Sequence, residues 1–316
     1  MMIRFLIGKL PSFALVALVS SVIAFVLPRL APGDAAVELA GPDATPEIVA
    51  GIRAELGLDQ PLWQQYLLWI GGVFRGDLGR SYILNRPVTE LIGSRLESTV
   101  ELALLATVIM IAVGLLLGVL GGSPRSRGAR SVVDGFNTVF LAIPPFLTGL
   151  LLILFLGLAL PLLPVSGEIA LLDDPELGIQ YLILPAVALA LPQAAVVARL
   201  LQTSMLTARG EDFVDLARSK GARPGRVTRR HVLRNSVGTV VVVIGLRIGD
   251  LLGGAIVVEA IFARNGLGTL AVSSVQSRDY LVVQALILGA VLVAVVMQLL
   301  SEIVLAALDP RVRLGG

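Results

Sequence analysis

The chain has no cysteine among its 316 residues. Disulfides, thiolate metal sites and cysteine nucleophiles are therefore excluded. It has a single histidine, His231, so a multi-histidine metal centre cannot be built from this chain alone, and no metal site is expected. Charged residues make up only 15% and aromatics 5%. The formal net charge of +2 is too small to argue for a nucleic-acid partner. Phosphate-binding G-x-x-x-x-G-K-[ST], zinc-binding H-E-x-x-H and nucleophile-elbow G-x-S-x-G patterns are all missing. No catalytic residue is assigned, no cofactor is expected in the chain, and an enzyme is not the expected reading.

What is present is oil. Hydrophobic residues reach 56%, and the mean hydropathy is +0.88. Length alone would suggest about two soluble domains, but this composition places the chain in a bilayer, where a helical span needs about 20 apolar residues. Such runs lie at Leu10 to Leu27, Leu102 to Gly121, Gly135 to about Leu160, Tyr181 to Ala198, Asn235 to Val258 and Tyr280 to Ser301. The first is long for a secretion signal and lacks a clear cleavage site, so it reads as an uncleaved span. Pro144-Pro145 should kink the third, and Pro185 and Pro192 the fourth, because proline removes a donor and clashes with the preceding turn. The predicted fold is an all-α membrane protein of six transmembrane helices.

Orientation follows from the lysine and arginine bias of the short loops. The N-terminus, residues 122–131, Arg199 to Asn235 and the C-terminus together hold 16 bases, whereas the two short loops opposite hold only Arg264 and Arg278. Both termini should be cytoplasmic. The long segment between spans 1 and 2 would then be extracytoplasmic. In it, Thr45-Pro46 opens a helix that Gly57 can close. A second helix from Pro61 carries Trp63, Tyr66, Trp69 and Ile70, a composition suited to the membrane interface. The expected organisation is 1–30 as cytoplasmic N-terminus and first span, 31–96 as the extracytoplasmic helical segment, and 97–316 as a core with spans 2 to 6.

The core's cytoplasmic loop 203–235 has internal order. Glu211 and Asp212 begin a helical pattern with Phe213, Leu216 and Ala217 on one face, and Arg218 and Lys220 close it, as the helix dipole prefers. Gly221 is placed for a left-handed stop, and Pro224 for a first helical position. Two short helices on a basic loop suggest a docking surface. In the fifth span, Arg247 and Asp250 each cost roughly 2.5–3.5 kcal/mol at a helix centre. They share a face and can pair, beside Gly245, Gly249, Gly253 and Gly254. They read either as a polar pathway wall or as a pair that locks helices. Glu101 and Asp134, at span ends, read as interfacial, and His231 as solvated or backbone-bonding. Gly266-Leu267-Gly268 and the residues after it read as a glycine-hinged external helix or as a plain turn.

Asp215-Leu216-Ala217, then Gly221, then His231-x-Leu233 follow the spacing of a known loop signature. That signature, Glu-Ala-Ala, three residues, Gly, nine residues, Ile-x-Leu-Pro, belongs to ABC importer permeases, which the chain resembles. Asp215, Leu216, His231 and Arg234 depart from it in the manner of the dipeptide/oligopeptide/nickel subclass, of the first-permease type. Ala31-Pro32-Gly33-Asp34, Leu56 to Pro61, Gly76-Asp77-Leu78-Gly79, Ser81-Tyr82, Glu259 to Phe262, Gly266 to Gly268, Arg278-Asp279-Tyr280 and Ala307 to Arg311 resemble the same subclass, in order along almost the whole chain.

The resemblance implies a type I ABC importer permease fold in the bacterial cytoplasmic (inner) membrane. It implies a coupling helix, with Glu211, Asp212, Phe213, Asp215, Leu216, Ala217, Lys220 and Gly221 docking an ATPase. Arg247, Gly249, Asp250 and Gly253 would line the pathway, although charges there are unusual for relatives. Gly266, Gly268 and Asp279 would face a binding protein. Implied partners are a second homologous permease, two cytoplasmic ABC ATPases carrying ATP and Mg, an extracytoplasmic substrate-binding protein and membrane lipid. The expected cargo is di- or oligopeptides. Nickel chelates or another small solute are the alternatives, and a stand-alone secondary transporter is the alternative of a different class.

Overall fold

The computed structural model describes residues 2–30, 33–123 and 127–308. Ala31-Pro32, part of one family-like stretch, and the tail from Asp309 lie outside the described residues. Among the described residues the chain forms thirteen α-helices and no strand beyond a single antiparallel bridge between Arg80 and Pro87. Two compact units are distinguished: residues 1–99 with 265–295, and residues 100–264 with 296–316.

The first unit holds α1 (Met2–Leu30), α2 (Ala35–Ala40), α3 (Pro46–Glu55) and α4 (Leu62–Val73). It also holds the start of α5 (Val88–Gly122), then α12 (Leu267–Gln276) and the first part of α13 (Tyr280–Leu308). Asp34 caps α2 by accepting from the Ala36 N–H at 2.9 Å, and its other oxygen pairs with Arg53 of α3. Gly57, at φ +65°, follows α3 as the spacing predicts. The aromatic helix α4 is two-sided. Tyr66 and Trp69 pack on Phe25 of α1 with ring centroids 5.4 and 6.0 Å away, and the Ser21 and Tyr66 hydroxyls lie 2.8 Å apart. Trp63, Leu67 and Leu68 stay exposed on the other side.

In the second unit, α5 is followed by α6 (Arg127–Ala142) and α7 (Pro145–Leu152), which continues as wide π-helical turns to Ala159. The third span is not a kinked single helix. The axes of α6 and α7 differ by 108° across a break at Ile143–Pro144. Residues before a proline are pushed out of the α region. Pro144, itself before Pro145, sits at ψ 152°, so α6 must stop and Pro145 restarts the chain at a first helical position.

Helix α8 (Pro175–Arg209) is capped by Asp174, whose carboxylate accepts from the Glu176 and Leu177 N–H groups at 3.1 Å. It is the hub of its unit: 67% of its most apolar stretch is buried, against at most 33% in any other candidate span. After α9 (Asp212–Ser219) and α10 (Pro224–Arg226), a π turn over Val227–Val232 leads into α11 (Leu233–Ile261). Among the described residues, five helices are long and apolar enough to cross a membrane, or six if the bent α6–α7 pair counts as one span.

Glycine permits α5 to lie directly on α8. A Cβ at Gly114 would fall 2.8 Å from Val197, at Gly118 2.7 Å from Leu201 Cβ and 3.0 Å from the Ala198 carbonyl, and at Gly122 2.8 Å from Met205. This recurrence every fourth residue is the small-residue contact by which membrane helices approach closely. Gly118→Leu should therefore force the helices apart and destabilise the protein by about 1–3 kcal/mol. Thermal unfolding in detergent measures this, and an unchanged midpoint would refute the close contact.

Candidate functional site

The loop ahead of α11 carries a short amphipathic helix with both ends defined. Glu211 precedes α9 in extended conformation, with φ −84° and ψ 145°. Asp212 and Asp215 occupy the first turn, and Asp215 pairs with Arg218 at 3.2 Å. The far end closes as Lys220 gives way to Gly221 at φ +77°. The Ala222 N–H then donates to the Ala217 carbonyl at 3.1 Å and the Gly221 N–H to the Arg218 carbonyl at 2.9 Å. This is the paired 6→1 and 5→2 pattern that glycine's left-handed freedom allows. The expected apolar face divides. Val214 and Ala217 are buried in the unit's core, whereas Phe213 and Leu216 are exposed at 37% and 58%. Ala217 thus fastens α9 to its own bundle and leaves two larger side chains as an outward ridge. Arg209 braces the loop by donating to the Gly122 carbonyl at 2.8 Å and to the Thr228 hydroxyl at 3.0 Å.

Arg247 and Asp250 form an ion pair at 2.7 Å on α11, with side chains 34% and 51% exposed. Arg247 borders a cavity of about 260 Å³ at the α6–α7 break, together with Pro144, Pro145, Pro192 and Gln193. The α6–α7 break, a proline within the continuous helix α8 and one charge thus share one hollow. The glycines of α11 serve two purposes. Gly245 lies against Ser301 and Gly254 against Leu189, while a side chain added at Gly249 or Gly253 would meet nothing within 4 Å. The latter two lie on a face that this chain leaves open.

The structure adds a buried charge cluster that the sequence does not announce. The Arg264 guanidinium, 1% exposed, lies 3.7 Å from Glu101 and 3.5 Å from Glu168 through Nη2, and Glu259, fully buried, precedes Arg264 closely in sequence. Burial lowers the pKa of Arg264, and Glu168, Glu101 and Glu259 act in the opposite direction. Arginine stays protonated in such a setting. Glu101 also accepts from the Leu171 N–H at 2.8 Å, so it anchors the 160–174 loop to α5. The cluster ties α5, the 160–174 loop and the end of α11 together. The base-free 160–174 loop, with Glu168, Asp173 and Asp174, and Arg264 in the loop after α11 were the available signal, but nothing in local spacing links Glu101 to Arg264.

The residues expected to face a binding protein are inside. Gly266, Gly268 and Asp279 are all buried, Asp279 at 2% exposure. Asp279 is occupied by the Ser81 hydroxyl and by the Tyr82 N–H at 3.2 Å, so it holds the 81–84 turn rather than presenting a charge outward. Tyr82 is half-buried there, and desolvation pushes its phenol up to about 12. The glycine-flanked stretch is a true helix, α12, not a plain turn.

The fold has solved counterparts. A structure of the MetNI methionine ABC transporter in an inward-facing conformation aligns with a TM-score of 0.56 at 17% identity, over 69% of this chain and 96% of that one. Another crystal form gives 0.55. Likeness at this identity shows the fold alone, a helical bundle that here carries several helices long and apolar enough to cross a membrane. The sequence then gives the family. The chain matches the binding-protein-dependent transport system inner membrane component over residues 110–314 and the N-terminal part of such membrane components over residues 2–103, and it belongs to that family. Among its relatives, the dipeptide transport system permease protein DppB of Escherichia coli K12 is 36% identical over 99% of both chains. The "Probable peptide ABC transporter permease protein y4tP" of Sinorhizobium fredii is 34% identical over 98% of this chain and 99% of its own.

Proposed function

We propose that this chain is the membrane-spanning half-channel of an ATP-driven importer of di- and oligopeptides, with both termini and the α9 loop in the cytosol and the 31–96 segment outside. The observation that carries the coupling is α9, a short, doubly capped helix anchored inward by Val214 and Ala217 and offering Phe213 and Leu216 outward. Such a ridge suits a groove on a cytosolic ATPase. The sequence has no phosphate loop of its own, so ATP and Mg would be bound by two ATPase partners. The relatives' dipeptide and peptide names support the cargo.

The hollow at the α6–α7 break, with Arg247, Asp250, Gly249 and Gly253 near it, would form one wall of the passage. A second, homologous permease would form the other. A binding protein would reach the outer mouth through the surface around α12, whose Val272 and Val275 are exposed, rather than through Asp279 itself. In proteoliposomes holding the assembled importer, uptake of labelled L-alanyl-L-alanine is expected only with both ATP and the binding protein. Uptake by this chain alone, driven by an ion gradient, would overturn the reading in favour of a secondary transporter.

A further inference from the structure

A second hollow, of about 240 Å³, opens between α6 and α8 at the end of the bundle that carries the α9 loop. Its floor is buried and polar. Asn137 is 4% and Gln202 7% exposed. Asn137 donates to Gln202 Oε1 at 3.3 Å, and Gln202 donates to Asp134 Oδ1 at 2.7 Å. Each amide in this relay is thereby fixed in orientation. The relay leaves Asn137 Oδ1 buried with no hydrogen-bond partner among the described residues. A buried acceptor left unpaired carries an uncompensated desolvation cost, which a donor brought by a ligand would relieve.

The rim is exposed and bipolar. Asp134 and Thr138 of α6 stand on one side, and Arg199 and Thr203 of α8 on the other. Among the described residues, Asp134 and Arg199 form no ion pair with each other. One acid and one base, each without a counter-charge there, face a single small hollow above a buried acceptor. A simple anion would be repelled by Asp134, and a simple cation by Arg199.

We propose that this hollow binds a small zwitterion, a free amino acid or short peptide, with its ammonium on Asp134 and Asn137 Oδ1 and its carboxylate on Arg199. The site is separate from the Arg247 hollow. Its α8 wall is the helix that runs directly into α9, so an occupant would clamp α6 to α8 just ahead of the docking ridge. On the importer reading above, on which the regulatory sense rests, the hollow faces the cytosol, and the ligand is imported material or its hydrolysis product restraining further uptake.

Calorimetric titration of the purified full-length chain with L-alanine and with L-alanyl-L-alanine tests this. Saturable binding of at least one is expected, and the tighter probe identifies the source. Arg199→Gln and Asp134→Asn should each weaken binding about tenfold. Arg75→Gln, an exposed residue outside the lining of both hollows, should leave it unchanged, and inorganic phosphate should not compete. Arg199 is exposed and takes no part in the relay, so its variant separates lost binding from lost folding. Failure of both probes to saturate by about 10 mM would overturn the site. So would binding that only Arg75→Gln impairs, or binding indifferent to Arg199→Gln. Because binding is read on the chain itself, loss of ATP-dependent uptake with binding intact would remove the importer reading and leave the site standing.

Discussion

Arg264→Met is expected to cost the protein about 3–5 kcal/mol, the usual penalty for removing one partner of a buried ion pair. The reasoning rests on what stays behind. Glu259 is fully buried, and the Glu101 and Glu168 side chains are only 12% and 22% exposed. With the guanidinium gone, these carboxylates lose the cation beside them in a poorly hydrated place, and each must either stay charged without compensation or take up a proton. Methionine fills much of the vacated volume, so a cavity is not the main cost. Thermal unfolding in detergent should show a clearly lowered midpoint, and adding Glu259→Gln to Arg264→Met should restore part of it by removing one stranded charge. Arg264→Lys should recover only part of the parent stability, because one ammonium cannot span acids on separate elements as a planar guanidinium does. A methionine variant as stable as the parent would show that the cluster contributes nothing net, which buried pairs sometimes do when replaced whole.

That cluster also marks the limit of what the sequence discloses. The spans are legible because a row of about 20 apolar residues suits little besides a bilayer. Their polar extensions are not. Helix α5 begins at Val88 and α8 runs from Pro175 to Arg209, well beyond the oil, since hydropathy reports burial in lipid and says nothing of where helical hydrogen bonding stops. Pro144-Pro145 signals an interruption in plain view. Whether it bends the chain slightly or turns it by 108° depends on what α7 packs against, chiefly α8. The α9 boundaries were legible to within a residue because caps, charges and glycine are local signals. Its faces were legible only in part: Ala217 points to the core because Val214 beside it also does, and the bundle rather than the helical wheel decides that. Glu101 and Arg264 meet only because α5 and the end of α11 are brought together by the fold. No pattern within either segment foretells it.

The division of α9 into an inner and an outer side makes the docking proposal testable without confounding it with folding. Leu216→Glu places a charge on a side chain that is already 58% exposed. Glutamate is a good helix former, and exposed substitutions of this kind usually change stability by no more than about 0.5 kcal/mol. The variant should therefore insert, unfold at the parent temperature and keep α9. If Leu216 enters an apolar groove of an ATPase, truncating and charging it removes an anchor of the hot-spot kind, worth about 2 kcal/mol or more. Co-purification of the ATPase should then fall well over tenfold and ATP-dependent uptake with it. Ala217→Glu would be a poor test, since a carboxylate driven in beside buried Val214 destabilises the chain itself and any loss of partner follows trivially. Phe213→Ala should give an intermediate loss, being less exposed than Leu216 and on the same ridge. Full retention of the ATPase by Leu216→Glu, with uptake intact, would remove α9 as the coupling element and return the question to the other basic segments of the same loop.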